Sequence, residues 1–213
     1  MLTGVPRAAA DVDHDGQIWT AVLSSGNPGA DSSKLRVWFD AHLRRSSGGI
    51  VHIARPAVGW SFSPSLSVWA GYAWVPVIPD EAATVHEHRA WQQIIFKRNV
   101  GSLSLQSRTR FESRFSGAGD DVGFRVREFV RASWQKHPSS RRGFVVWDEV
   151  FIGLNEPDWG ARKGFDQNRL FVGPFFKVGK RMRLEMGYLF LFAERGDTDT
   201  VGHVFATNLF LSL

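Results

Sequence analysis

Cysteine is absent from the 213 residues, which excludes a disulfide framework, a thiolate metal site and a cysteine nucleophile. Long apolar runs are missing too. The best, Met186 to Ala193, has eight residues, against the ~20 that a spanning helix needs. A helical membrane protein is therefore excluded, but a membrane barrel is not, because its strands need only ~9–11 residues with alternate positions apolar. Lysine is scarce: six of the 26 basic residues are lysine and twenty are arginine, against 21 Asp and Glu. A basic balance ordinarily suggests nucleic acid or an acidic surface. Arginine in this excess points instead to planar heads paired with carboxylates in a confined space. Heptads, long amphipathic helices and low-complexity segments are also lacking, and the length fits one domain.

What is present is period-2 alternation, broken by turn signals such as Ser63-Pro64-Ser65, Asn99-Val100-Gly101, Gly117-Ala118-Gly119-Asp120 and Gly179-Lys180. Eleven strand candidates follow, at roughly 17–25, 35–45, 50–62, 66–78, 84–98, 102–116, 122–135, 143–154, 165–178, 181–194 and 202–213. Many exceed the ~5–6 residues usual in soluble proteins. Within 102–116, Ser104, Gln106, Arg108, Arg110, Glu112 and Arg114 face one way, while Leu103, Leu105, Thr109, Phe111 and Phe115 face the other. The preceding strand places Glu87, Arg89, Gln93 and Lys97 on one face, and the following one Arg125, Arg127 and Arg131. Arg36, Asp40, Arg44, Arg55, Glu149, Arg169 and Glu185 extend the polar face. Opposite charges interleaved across strands stabilise a sheet, so a paired network is expected.

A soluble sandwich or lipocalin-like barrel also alternates, with its charged face in water. Three features favour a membrane barrel: strand length, Trp60, Trp74 and Trp134 on the apolar face near strand ends where interfacial girdles sit, and a last strand ending in alternating Phe205, Thr207, Leu209, Leu211 and Leu213. Such a strand would be an aggregation hazard at a soluble edge, whereas a barrel closes it on the first strand.

In order and spacing, several segments resemble a bacterial outer-membrane family catalogued as domain of unknown function 2490. They are Glu87-His88-Arg89-Ala90-Trp91-Gln92-Gln93, Ser107 to Arg114, Arg125-Val126-Arg127, Asp148-Glu149-Val150-Phe151, Gly164 to Arg169 and Leu184 to Tyr188, with Gly71-Tyr72 after the Ser-Pro-Ser turn. The resemblance spans roughly 17–213 and implies an all-β fold: a single transmembrane antiparallel up-and-down β-barrel in the bacterial outer membrane. Its partners would be outer-membrane lipid and lipopolysaccharide, with the barrel assembly machinery during insertion and no nucleic acid. Two departures are noted: the chain ends in Leu213 where such proteins commonly end in an aromatic residue, and Glu128 falls on the apolar face. Because bacterial single-chain barrels have even strand numbers, about twelve strands are expected, with ten as the alternative. Short turns after 62, 99, 135 and 179 are expected on the periplasmic side, and the longer segments 79–83, 156–163 and 195–201 outside. Residues 1–16 are expected to be a signal-peptide remnant or a disordered segment: Ala8-Ala9-Ala10 resembles a cleavage region, and the true precursor is expected to carry its secretion signal upstream.

The expected lumen lining is Arg36, Arg55, Glu87, Arg89, Arg108, Arg110, Glu112, Arg125, Arg127, Glu149, Arg169 and Glu185. Such a ladder could form an anion-selective constriction, although a narrow barrel filled by mutually satisfied charges is the simpler outcome. His86 and His88 share a strand face and lack further ligands for a metal. Asp166-Gln167-Asn168 lacks the glycine and distal glutamate of a calcium loop, and Glu194, Asp197 and Asp199 read as a solvated loop. Neither a metal nor a cofactor is expected. Ser113 and His88 are conceivable as nucleophile and base only by guesswork, and no elbow motif is present. The expected function is thus a narrow channel or structural barrel rather than an enzyme. The alternatives are a lipid- or lipopolysaccharide-acting barrel enzyme and a soluble lipocalin-like binder.

Overall fold

The computed structural model describes residues 11–29, 33–195 and 198–213. Eleven strands account for most of them: β1 (Asp11–Gly26), β2 (Leu35–Ser46), β3 (Gly49–Ser61), β4 (Leu66–Pro79), β5 (Val85–Val100), β6 (Leu103–Ser116), β7 (Val122–Trp134), β8 (Arg142–Gly153), β9 (Gly164–Val178), β10 (Met182–Ala193) and β11 (Thr198–Ser212). Each strand pairs with its sequence neighbours, and β11 returns to β1, closing the barrel. All pairings are antiparallel except that seam, where β1 and β11 run parallel from Asp11↔Thr198 to Ser25↔Ser212.

The parallel seam explains why the strand count departs from the even number expected. In an all-antiparallel barrel the last strand must oppose the first, which forces an even count; eleven strands close only if one pair is parallel. The barrel also begins earlier than residue 17, since β1 starts at Asp11. The Ala8-Ala9-Ala10 segment lies outside the described residues.

One consequence of the odd count is that β1 starts at one end of the barrel and β11 finishes at the other. The C-terminal end carries the connections 62–65, 101–102, 135–141 and 179–181, with Gly101 in the left-handed region at φ 57° to close the shortest of them. The opposite end carries 80–84, 117–121, 154–163 and the segment after Ala193. Here the 154–163 loop is clasped to 117–121. The Asp158 carboxylate accepts the backbone N–H of Asp120 at 3.0 Å and of Asp121 at 3.1 Å, and the Trp159 indole donates to the Asp121 carbonyl at 2.8 Å. Those backbone donors hold the Asp158 carboxyl below its ordinary value.

Alternation sends Val22, Phe39, Val58, Ile94, Val130, Val172 and Phe205 outward as an exposed apolar wall. Outward aromatic residues stand toward the C-terminal end (Trp60, Phe96, Trp134 and Phe144), near mid-strand (Tyr72, Trp74, Tyr188 and Phe205) and toward the other end (Phe115). Glu128 also faces outward and accepts the Thr109 hydroxyl on β6 at 3.0 Å, so the β7 register is the one that puts Arg125 and Arg127 inside. The interior is mixed. One buried apolar cluster gathers Ile53, Trp69, Val75, Trp91 and Ile95; a second gathers Val145, Phe171, Phe175, Leu189 and Val204. Between them stand β6 and β7, whose inner faces are mostly charged.

Candidate functional site: the ionic lumen

Register alone would make the lumen repulsive. Arg89 sits directly opposite Arg114, and Arg110 opposite Arg127, and like charges facing each other destabilise a sheet. The side chains resolve this diagonally. Arg89 and Arg114 both turn to Glu87, with Nε to Oε1 distances of 2.9 and 2.5 Å. Arg127 reaches Glu112 and Glu149, each at 2.7 Å, while Arg110 donates twice to the Gln93 amide oxygen at 2.9 and 2.7 Å. Arg125 joins Glu112 at 2.6 Å to Asp166 at 3.0 Å. A carboxylate has about four lone-pair sites, so Glu87, Glu112 and Glu149 can each serve more than one guanidinium.

Aromatic rings hold the guanidinium planes between the carboxylates. Arg110 lies 4.1 Å above the Trp91 ring. Arg125, Arg127 and Arg169 surround Phe151 at 5.0, 4.4 and 4.4 Å. Stacking of this kind favours Arg over Lys, which accounts for the composition. The packing is dense: Arg110, Glu112 and Trp91 are each 1% exposed.

Toward the C-terminal end the lumen opens into a vestibule of about 430 Å³. Its walls carry eleven Lys and Arg side chains against two carboxylates, Asp40 and Glu149. Asp40 is held by Arg55 at 2.7 and 2.9 Å and by the Trp38 indole at 2.9 Å. Deeper on β10, Glu185 pairs with Arg131 and with Arg183, the latter at 2.7 Å. Arg44 differs from these. It stacks 4.1 Å over Trp19, its Nε is buried without a hydrogen bond, and among the described residues it has no carboxylate partner.

Of the twelve residues expected to line the lumen, Arg55, Glu87, Arg89, Arg108, Arg110, Glu112, Arg125, Arg127, Glu149, Arg169 and Glu185 all point inward and are bonded to inward-facing partners. Arg36 stands apart at the C-terminal rim, donating to the Ser33 and Leu35 carbonyls at 2.8 and 3.0 Å. Asp40, Arg44 and Arg114 belong to the lumen as well, as their place on the polar face implies. The expected lining also lacks the lumenal aromatics, above all Trp91 and Phe151, which sit two residues from charged neighbours on the same face.

The other sequence candidates fall elsewhere. His86 and His88 face outward, His86 stacked on Trp74 and His88 hydrogen-bonded to the Tyr72 hydroxyl. Ser113 pairs across from Ala90, and His88 from Phe115. Asp166 and Asn168 bond to Arg125 and Asp148. Asp197 lies outside the described residues. Among those that are described, no group of three His, Asp or Glu is placed to hold a metal.

The class that this fold and lumen define is a single-chain β-barrel with an apolar outer wall and an ionic, aromatic-lined interior. Within that class the chain belongs to the family described as "Protein of unknown function (DUF2490)", whose model matches residues 16–202. It is also similar to an uncharacterized protein of Methylorubrum extorquens, 36% identical over 215 residues, covering 96% of this chain and 91% of the relative. No solved structure matches the chain.

Proposed function

We propose that the protein is an outer-membrane barrel of the Gram-negative envelope whose resting lumen is closed: a structural or ligand-holding barrel, not an open porin and not an enzyme. The observation that carries this reading is the inverted distribution of polarity. Charged side chains fill the interior, while the outer wall exposes an apolar belt that carries many aromatic residues, the arrangement a lipid-facing barrel requires. Closure rests on the near-complete burial of Arg110, Glu112 and Trp91, which a continuous water-filled pore would leave wet. On this reading its surroundings are outer-membrane lipid and lipopolysaccharide, the barrel assembly machinery inserts it, and nucleic acid is not a partner. The C-terminal end with its short turns then faces the periplasm, and the clasped 154–163 loop faces outward.

The test is fractionation of the secreted protein, followed by electrophoresis with and without boiling and planar-bilayer recording. The expected result is outer-membrane partition, a heat-dependent mobility shift and no steady conductance. Recovery as soluble periplasmic protein would remove the membrane reading. Stable open-channel steps would remove the closed-lumen reading alone.

A further inference from the structure

We propose that the C-terminal vestibule is a binding site for a small ligand carrying a phosphate or diphosphate group. The argument starts from a charge surplus that the protein does not neutralise. Asp40 is committed to Arg55, and Glu149 to Arg108 and Arg127. That leaves Arg44 enclosed within the vestibule and Lys97, Lys180 and Arg181 exposed at its mouth, none with a carboxylate, although all four line the same space. Enclosing the unpaired Arg44 in a partly desolvated cavity is costly unless an anion neutralises it, and the three exposed cations add an attractive field at the entrance.

Geometry narrows the class. Arg44 and Arg169 approach one indole, Trp19, at 4.1 and 5.0 Å, so two planar forks lie together in the cavity wall. Planar forks match the tetrahedral oxygens of phosphate through paired, charge-assisted hydrogen bonds. The buried Nε of Arg44 has no protein acceptor, leaving that donor for a ligand. Trp38, Trp147 and Phe210 add apolar wall, so the occupant has room for an organic portion beside its phosphate. The vestibule holds about 430 Å³, enough for a small phosphorylated molecule or the headgroup of one lipid. The site is lumenal, so the proposal does not depend on whether the barrel conducts or on which membrane holds it.

The experiment is tryptophan-fluorescence titration of the folded barrel in zwitterionic detergent, with two phosphate sources. Sodium pyrophosphate represents a soluble ligand and dihexanoyl phosphatidic acid a lipid headgroup, with sodium acetate as the control anion. Saturable quenching is expected with at least one phosphate source, at least tenfold weaker in Arg44→Gln and unchanged in Arg45→Gln, whose side chain faces outward to Asp80. Saturation by pyrophosphate assigns a soluble ligand, and saturation by the lipid alone assigns a headgroup. Failure of both, equal response to acetate, or undiminished binding in an Arg44→Gln barrel that keeps its heat-dependent mobility shift would overturn the proposal.

Discussion

The two ends of the lumen use the same residue in opposite ways. Toward the clasped loops, each arginine reaches a carboxylate or an amide: Arg89 and Arg114 share Glu87, Arg125 has Glu112 and Asp166, and Arg110 has Gln93. The vestibule that opens toward the C-terminus has fewer carboxylates than cations, and Arg44, at its inner floor two residues from the end of β2, is left with only an aromatic face. Burial follows the same division. The paired end is closed to water, whereas the surplus end retains a cavity. Guanidinium groups thus act as mortar where partners are supplied and as a receptive surface where they are withheld, and substitutions at the two ends should differ in sign as well as in size.

The largest effect is expected for Glu112→Gln. This carboxylate bonds Arg125 and Arg127 and lies 3.6 Å from Arg110. Removing one partner from a buried ionic group typically costs ~3–5 kcal/mol. The lower end, about 3 kcal/mol, applies because Arg127 keeps Glu149 and Arg125 keeps Asp166. Urea titration of the detergent-folded barrel, followed by the mobility shift, measures the loss. If Glu112→Gln proves no more harmful than Arg44→Gln, the distinction between a paired and a surplus end disappears.

A smaller loss should follow from disturbing the aromatic support of the paired end. A Cβ at Gly71 would stand 2.4 Å from the Trp91 ring and 2.7 Å from the Ala57 methyl, so Gly71→Ala must displace the indole on which Arg110 rests. Overpacking of this kind costs about 1–3 kcal/mol. Near-ultraviolet circular dichroism should weaken along with stability. An unchanged spectrum would mean that the shelf under Arg110 is more pliable than its burial implies.

Much of this architecture was legible in the chain, because a barrel obeys a period of two wherever it is. Alternation located all eleven strands and sorted Glu87, Arg110, Glu112 and Arg127 onto one face. It also set Trp60, Trp74 and Trp134 on the outer face, where all three are exposed, with Trp60 and Trp134 at strand ends and Trp74 nearer mid-strand. What alternation cannot carry is anything that depends on closure. The parallel β1–β11 seam joins residues nearly the full chain apart, and the parity argument applied in its place brackets the eleven strands with twelve and ten. Pair identity was hidden for a similar reason. Arg108 with Glu149 skips one strand and Arg131 with Glu185 skips two, and neither spacing nor facing specifies a partner beyond the adjacent strand. The lumenal tryptophans were lost because an apolar residue on a polar face reads as noise until the interior is known to hold both.

Arg44→Gln should move stability by less than ~1 kcal/mol, and upward if at all, because it removes a cation that has no carboxylate to lose. Measured beside Glu112→Gln in the same denaturant series, it contrasts removal of an unpaired cation with removal of a shared anion, each a change of one formal charge but of opposite sign. A loss of several kcal/mol would show that the Trp19 stack, and not the missing carboxylate, governs this position.

The smallest global effect belongs to the clasp over the paired end. Asp158 is held below its ordinary carboxyl value by the amides of Asp120 and Asp121, so its contribution is fully present above that ordinary value. It is lost only as pH falls through the depressed one. Proteolytic access to the 154–163 loop should therefore stay low through mildly acidic conditions and rise only in strong acid, while Asp158→Ala should raise access at neutral pH. Barrel unfolding should be unaffected in both cases, because the lumen beneath is closed by Glu87, Glu112 and their arginines, not by the loop. If Asp158→Ala lowered the urea midpoint as far as Glu112→Gln, closure of this end would have to be reassigned from the ionic network to the lid above it.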